Sequence, residues 1–227
     1  MRTSLFASHS SNTQDTTNFF VELLSADESL TSSEITVINQ KFNTLLVKAK
    51  NLKTKSKTDQ EFLQRLFYKT HRILKHYKTN ATFTDIFLKG EYDCVTSSAL
   101  YGLLLKALGY KFQIYEFPYH VAIAITTNQK SFFIDPTDPI SGFLAENNLI
   151  IDRVENYKTD FGKMDARDNA LKLIDLKSLI GLQYYNLSVD SFNSKNYVKS
   201  RKLLQEAHRF YPSERIKKLS RYIAISE

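Results

Sequence analysis

GEYDCVTSSALYGLLLKALG, residues 90–109, decides how the rest of the chain is read. Asp93 has the side chain of a helix N-cap, Gly90 stands before it, and Gly109 closes the run. Between them Val95, Leu100, Leu103, Leu104, Ala107 and Leu108 leave almost no polar stripe, with small Ser97, Ser98 and Gly102 among them. A helix that is apolar nearly all round is a central, buried one. Cys94, its first residue, is the only cysteine of the 227 residues, which excludes an intrachain disulfide and a cysteine-rich zinc cluster. Helix N-terminal N–H groups and the positive end of the helix dipole favour the thiolate form of such a cysteine.

Three short strands follow, at Lys111–Phe117, His120–Thr126 and Ser131–Asp135, with Pro118, Pro136 and Pro139 as breaks. The last two strands are joined by Thr127-Asn128-Gln129-Lys130. A two-residue turn at Thr127-Asn128 sets His120 opposite Asp135. A four-residue loop makes them diagonal neighbours on one face, and only an odd-length loop separates them. That face also carries Ala122 and Ala124, small enough for a helix N-terminus to approach, while Val121, Ile123 and Ile125 fill the other. A thiol, an imidazole and a carboxylate so placed form the nucleophile, base and orienter of acyl transfer.

Working toward the N-terminus, Thr31-Ser32-Ser33-Glu34 and Thr58 with Glu61 have capping-box spacing. The first opens a helix with an Ile35, Ile38, Phe42, Leu45, Leu46 stripe. The second opens a longer one with Phe62, Leu63, Leu66, Phe67, Ile73, Leu74 and Tyr77. His71 and His76 in that stretch stand five residues apart, the wrong step for two ligands on one helix face, and read as surface histidines. Thr82 to Lys89 reads as a short helix ended by Gly90. Residues 1–33 read as a partly ordered segment.

Toward the C-terminus, residues 140–163 show no period and read as irregular, and the chain is helical again from Asp165. Tyr184, Asn186, Leu187, Ser188, Tyr197, Ser200, Leu204, Ala207 and Pro212 fall at the spacing of one tetratricopeptide repeat over 181–214, with Ser191 where an aromatic is usual and Phe192 beside it. One repeat cannot bury its own face, so residues 164–227 are expected to dock as helices on a core of 34–163.

The net charge of +7 is concentrated in 34–80 and 164–227, notably at Lys48, Lys50, Lys53, Lys55 and Lys57. That run has no arginines or interleaved aromatics and reads as a solvated helix end rather than a nucleic-acid surface. With 42% apolar residues, six glycines and four prolines, the composition is that of a globular chain. No apolar run reaches the roughly 20 residues of a membrane span. Leu5-Phe6-Ala7 is too short for a secretory-signal core, so the compartment, cytoplasmic or exported, stays open.

The run GEYDCVTSSAL at 90–100, then Tyr119-His120-Val121, then Phe133-Ile134-Asp135-Pro136-Thr137, resembles the transglutaminase-like branch of the papain-like cysteine fold over roughly residues 60–140. The resemblance implies an α+β fold. A central helix carrying the cysteine packs on a small antiparallel sheet, with helices before it and, as in some bacterial members, a tetratricopeptide-like segment after it. It implies Cys94, His120 and Asp135 as a triad, with Tyr92 or the Cys94 backbone N–H at the oxyanion. It implies a peptide or protein substrate, and neither cofactor nor metal. The chain lacks the tryptophan that animal transglutaminases place beside the nucleophile, and it has no room for their β-sandwich domains. The expected activity is therefore amide hydrolysis or acyl transfer rather than glutamine–lysine cross-linking. The alternative is an inactive scaffold of the same fold that binds a protein partner through 181–214.

Overall fold

A computed structural model describes residues 7–128, 130–159 and 171–226, the first nine of these (7–15) by their backbone alone. The architecture is α+β, with a small antiparallel sheet set among helices.

The central helix forms where its caps place it. In α5 (Cys94–Ala107) the Asp93 carboxylate accepts from the Thr96 N–H at 2.7 Å, and Thr96 Oγ1 accepts from the Asp93 N–H at 3.0 Å. At the other end Gly109 adopts φ +76°, a conformation open to glycine at no steric cost. Lys53 donates to the Leu108 carbonyl at 2.6 Å and lies over the Tyr110 ring, so one member of the lysine run neutralises the negative end of this helix. All but three of its residues are buried.

Four helices of the N-terminal part surround it. Helix α1 (Ala7–Ser25) lies within the segment read as partly ordered, and its last turns bury Phe20, Leu23 and Leu24 against α5. The apolar stripe there is only two turns long, too short to stand out above a polar first half. Helix α2 (Ser32–Lys55) starts at the Thr31–Glu34 capping box. Helix α3 (Asp59–His71) starts at Thr58, but the Glu61 carboxylate turns to the Lys57 N–H, leaving half a box. This helix stops at His71, short of the apolar positions 73–77, because His76–Tyr77 leave it as β1, a parallel partner of β2 (Glu91–Tyr92). Helix α4 (Phe83–Leu88) lies between them, closed by Gly90 at φ +76°.

The main sheet has the order β6-β5-β4-β3-β7, antiparallel throughout: β3 (Phe112–Glu116), β4 (Val121–Thr126), β5 (Ser131–Ile134), β6 (Phe143–Leu144) and β7 (Lys172–Ile174). The pairing of Thr126 with Ser131 shows the four-residue connection. Gln129 within it lies outside the described residues. Strand β7 replaces helix near the expected restart, and Asp165 itself is outside the described residues.

The two faces of the sheet are covered differently. Ile114, Val121, Ile123, Ile125, Phe132 and Ile134 join the large core that holds α5. Tyr115, Phe117, Ala122, Ala124 and Phe133 form a second, smaller core under Ile150, Val154 and Tyr157 of α6 (Asn147–Thr159). The segment 140–159 is thus not irregular: a two-residue strand and a helix of 13 residues occupy most of it. Helix α6 buries no residue completely, which is why its period is faint in the sequence. It also corrects the packing expected for the alanine face. The helix covering Ala122 and Ala124 is α6; α5 lies on the Val/Ile face, which offers the larger branched side chains.

Residues 176–226 form α7 (Leu176–Asn193), α8 (Tyr197–Phe210) and α9 (Glu214–Ser226). The small residues of the repeat spacing bring α7 and α8 together. Ser188 and Ser200 each donate to the other's backbone carbonyl at 2.8 Å, and Tyr184 stacks on Phe210. A Cβ on Gly181 would fall 2.5 Å from that of Tyr211. At the irregular position Ser191 bonds back to Leu187, and Phe192 packs on Tyr197. This hairpin shares the main core. Buried Gln183 accepts from the Phe83 N–H at 2.9 Å and donates to the Leu23 carbonyl at 3.0 Å, tying α7 to α4 and α1.

Candidate active site

His120 and Asp135 flank the hairpin, one residue before β4 and one after β5. They are the diagonal pair that a four-residue loop produces. His120 Nε2 lies 3.1 Å from Asp135 Oδ1, an ion-pair distance off the ideal hydrogen-bond line. The imidazole lies against the Tyr157 ring at 4.7 Å and the Phe117 ring at 6.4 Å, which pack on each other, and a tight turn in which the Phe117 N–H donates to the His120 carbonyl sets its backbone.

Cys94 reaches the same corner of the molecule. The backbone N–H groups of Cys94 and of Val121, the residue that follows His120, favour negative charge on the Cys94 sulfur, and Cys94 is partly exposed. One turn further along α5, Ser98 lies 3.4 Å from the Val121 carbonyl. The start of the central helix is thus seated on the start of β4.

Asp135 is almost wholly buried and saturated with donors. Oδ1 accepts from the Thr137 N–H at 2.9 Å and the Thr137 hydroxyl at 2.8 Å. Oδ2 accepts from the Tyr157 hydroxyl, and the Arg153 guanidinium lies 3.6 Å away. Although burial opposes ionisation, His120 and these donors hold the carboxyl well below the usual carboxylate range. The loop beyond it is fixed by the Asp135 N–H to the Gly142 carbonyl and the Gly142 N–H to the Asp138 carbonyl. A Cβ on Gly142 would overlap the carbonyls of Asp135 and Asp138. Thr137, Arg153 and Tyr157 escaped sequence reasoning. The Asp-Pro-Thr turn was a usable signal for Thr137, but nothing local marked two residues of a weakly periodic helix.

The thiol departs from the sequence expectation. Burial, followed by the carboxylate of Asp93, pushes Cys94 up to about 12, against the pull of the two N–H groups. The same residue that caps α5 therefore opposes the thiolate. Asp93 is itself raised to about 6, by burial, despite bonds from Thr96 and from Asn186 of α7 at 3.2 Å. Asp93→Asn should consequently raise the iodoacetamide alkylation rate of Cys94 at pH 8 by about tenfold, the effect of one pKa unit. Linkage gives a second readout. A carboxyl whose folded pKa is raised binds its proton more tightly when folded, so wild-type stability should fall relative to the variant as pH rises from 3.8 to about 6. Equal alkylation rates and parallel pH profiles would exclude this role for Asp93.

Two tyrosines pack on each other where the chain enters α5. Tyr92, the oxyanion candidate, is buried with its ring edge-on to Tyr77 at 5.9 Å, and its pKa is raised by burial and then by Asp135. Tyr77 is more than half exposed; burial of its hydroxyl, followed by Cys94, Asp93, Tyr92 and Asp135, raises it to about 12. Tyr77 thus packs on the oxyanion candidate, a placement that its assignment to a helical stripe had concealed.

His76 is exposed, but His71 is no surface histidine. Its ring packs on Phe67 at 4.5 Å, both nitrogens are buried, and burial lowers its pKa against the opposing charges of Asp135 and Asp138. Among the described residues no three His, Cys, Asp or Glu side chains stand together as a metal site, and no helix is long and apolar enough to cross a membrane. Comparison of the chain with protein-family models, with curated proteins and with solved structures finds no match to any of them.

Proposed function

We propose that the chain is a cysteine-dependent acyl-transfer enzyme of the transglutaminase-like kind, acting as a hydrolase on an amide in a peptide or protein. The observation that carries this reading is the His120–Asp135 pair at 3.1 Å, with Cys94 partly exposed at the start of α5 and the N–H following His120 favouring charge on its sulfur. The raised thiol makes the resting nucleophile a protonated thiol rather than a thiolate–imidazolium pair. In this scheme Cys94 Sγ attacks the carbonyl carbon as its proton passes to His120. Asp135 steadies the imidazolium, and the N–H groups of Cys94 and Val121 face the developing charge. His120 then protonates the leaving amine as the C–N bond breaks. Water attacks the thioester, giving up its proton to His120, and the thiol is restored as the acid leaves.

The raised thiol also favours a second reading, an inactive scaffold that binds a protein partner through 181–214. A generic acyl donor separates the two. With p-nitrophenyl acetate, the catalytic reading expects release of p-nitrophenol with acetyl transferred to Cys94, read by mass spectrometry, and its disappearance in Cys94→Ala. Acetylation spread over lysines, with Cys94 unmodified, supports the scaffold.

A further inference from the structure

We propose that Tyr157 is a positioning residue of this site, acting on both members of the base–orienter pair; the inference rests on the catalytic reading above. Its hydroxyl donates to Asp135 Oδ2, and its ring lies 4.7 Å from the His120 ring. No other side chain described around the site makes both contacts through separate parts of itself. Thr137 fixes Oδ1 from within the same loop, at 2.8 and 2.9 Å, so the carboxylate is still free to turn about that oxygen unless Oδ2 is also held. Tyr157 holds it. Arg153, one turn earlier on α6, lies 3.4 Å from the tyrosine hydroxyl and directs its proton away from itself toward Asp135, since a guanidinium only donates. The ring is in turn fixed by Phe117 at 5.2 Å, within the small core that anchors α6 to the alanine face of the sheet. Ala122 and Ala124 thus leave room for the ring that seats the histidine.

Tyr157→Phe separates the two contacts, because it keeps the ring and removes the hydroxyl. Acetylation of Cys94 by p-nitrophenyl acetate should slow about tenfold, the loss of one charge-assisted hydrogen bond. The decisive measurement is a double-mutant cycle with His120→Ala. A residue that works through the histidine has nothing left to position when the imidazole is gone, so Tyr157→Phe should cause no further loss in that background. The near-ultraviolet circular dichroism of the variant should match wild type. If Tyr157→Phe acylates at the wild-type rate, or loses the same factor with and without His120, Tyr157 is not a positioning residue and the inference is overturned. If His120→Ala itself matches wild type, the catalytic reading has failed and this inference falls with it, an outcome distinct from the other two.

Discussion

His120→Ala should slow acetylation of Cys94 by p-nitrophenyl acetate at least about hundredfold at pH 7.5, the lower bound of a positioned general base. The size of the effect follows from the state of the thiol. Burial and Asp93 keep Cys94 protonated at neutral pH, so attack depends on removing a proton in the transition state. In the catalytic reading that base is His120, whose Nε2 lies 3.1 Å from Asp135. A thiol with an ordinary pKa would lose less, because it already has a few per cent of thiolate to react with. Since Cys94 is the only thiol, modification at that residue is read without interference. A rate unchanged by the substitution would sink the catalytic reading and leave the scaffold in its place.

Arg215→Met should destabilise the chain by about 3 kcal/mol, the cost of stranding a buried charge by removing its partner. The stranded group is Glu116 of β3, whose side chain is 1% exposed and whose Oε1 lies 2.7 Å from the guanidinium. Tyr211 donates to the other oxygen and cannot neutralise the charge. Arg215 also lies 3.3 Å from the Pro118 carbonyl, in the turn that carries His120, so α9 is fastened to the strand end beside the site. At this chain length the expected fall in melting temperature is roughly 6–12 °C. Glu116→Gln combined with Arg215→Met should recover most of it, because the charge then leaves with its partner. A melting temperature unmoved by Arg215→Met would show that α9 is not fastened through this pair. No recovery in the double variant would show that the loss comes from packing.

Much of the frame is legible in the residues because the signals act within a few positions along the chain. Asp93 and Thr96 cap α5, Gly109 at φ +76° ends it, and Thr31 with Glu34 starts α2, each through contacts spanning three or four residues. Hairpin parity is equally local: an even connection leaves His120 and Asp135 on one face whatever covers it. The repeat spacing likewise marks Ser188 and Ser200 as the close approach of α7 and α8.

Other properties were decided only by tertiary structure. Which helix covers the alanine face depends on how far α5 and α6 each fill the space beside it, a comparison of areas contributed by segments far apart in the chain. The stripe Ile150, Val154, Tyr157 becomes apolar surface worth burying only once Phe117, Ala122 and Phe133 are beneath it. The donor on Asp135 Oδ2 arrives from α6, and the hydrogen bond from Asn186 to Asp93 arrives from α7, across 93 residues of chain. The thiol is the sharpest case. Its position at a helix start argues for a thiolate, and that local dipole is present. Desolvation by the assembled core, with a buried carboxylate beside it, outweighs the dipole, because the cost of a charge depends on everything packed around it and not on its neighbours in sequence.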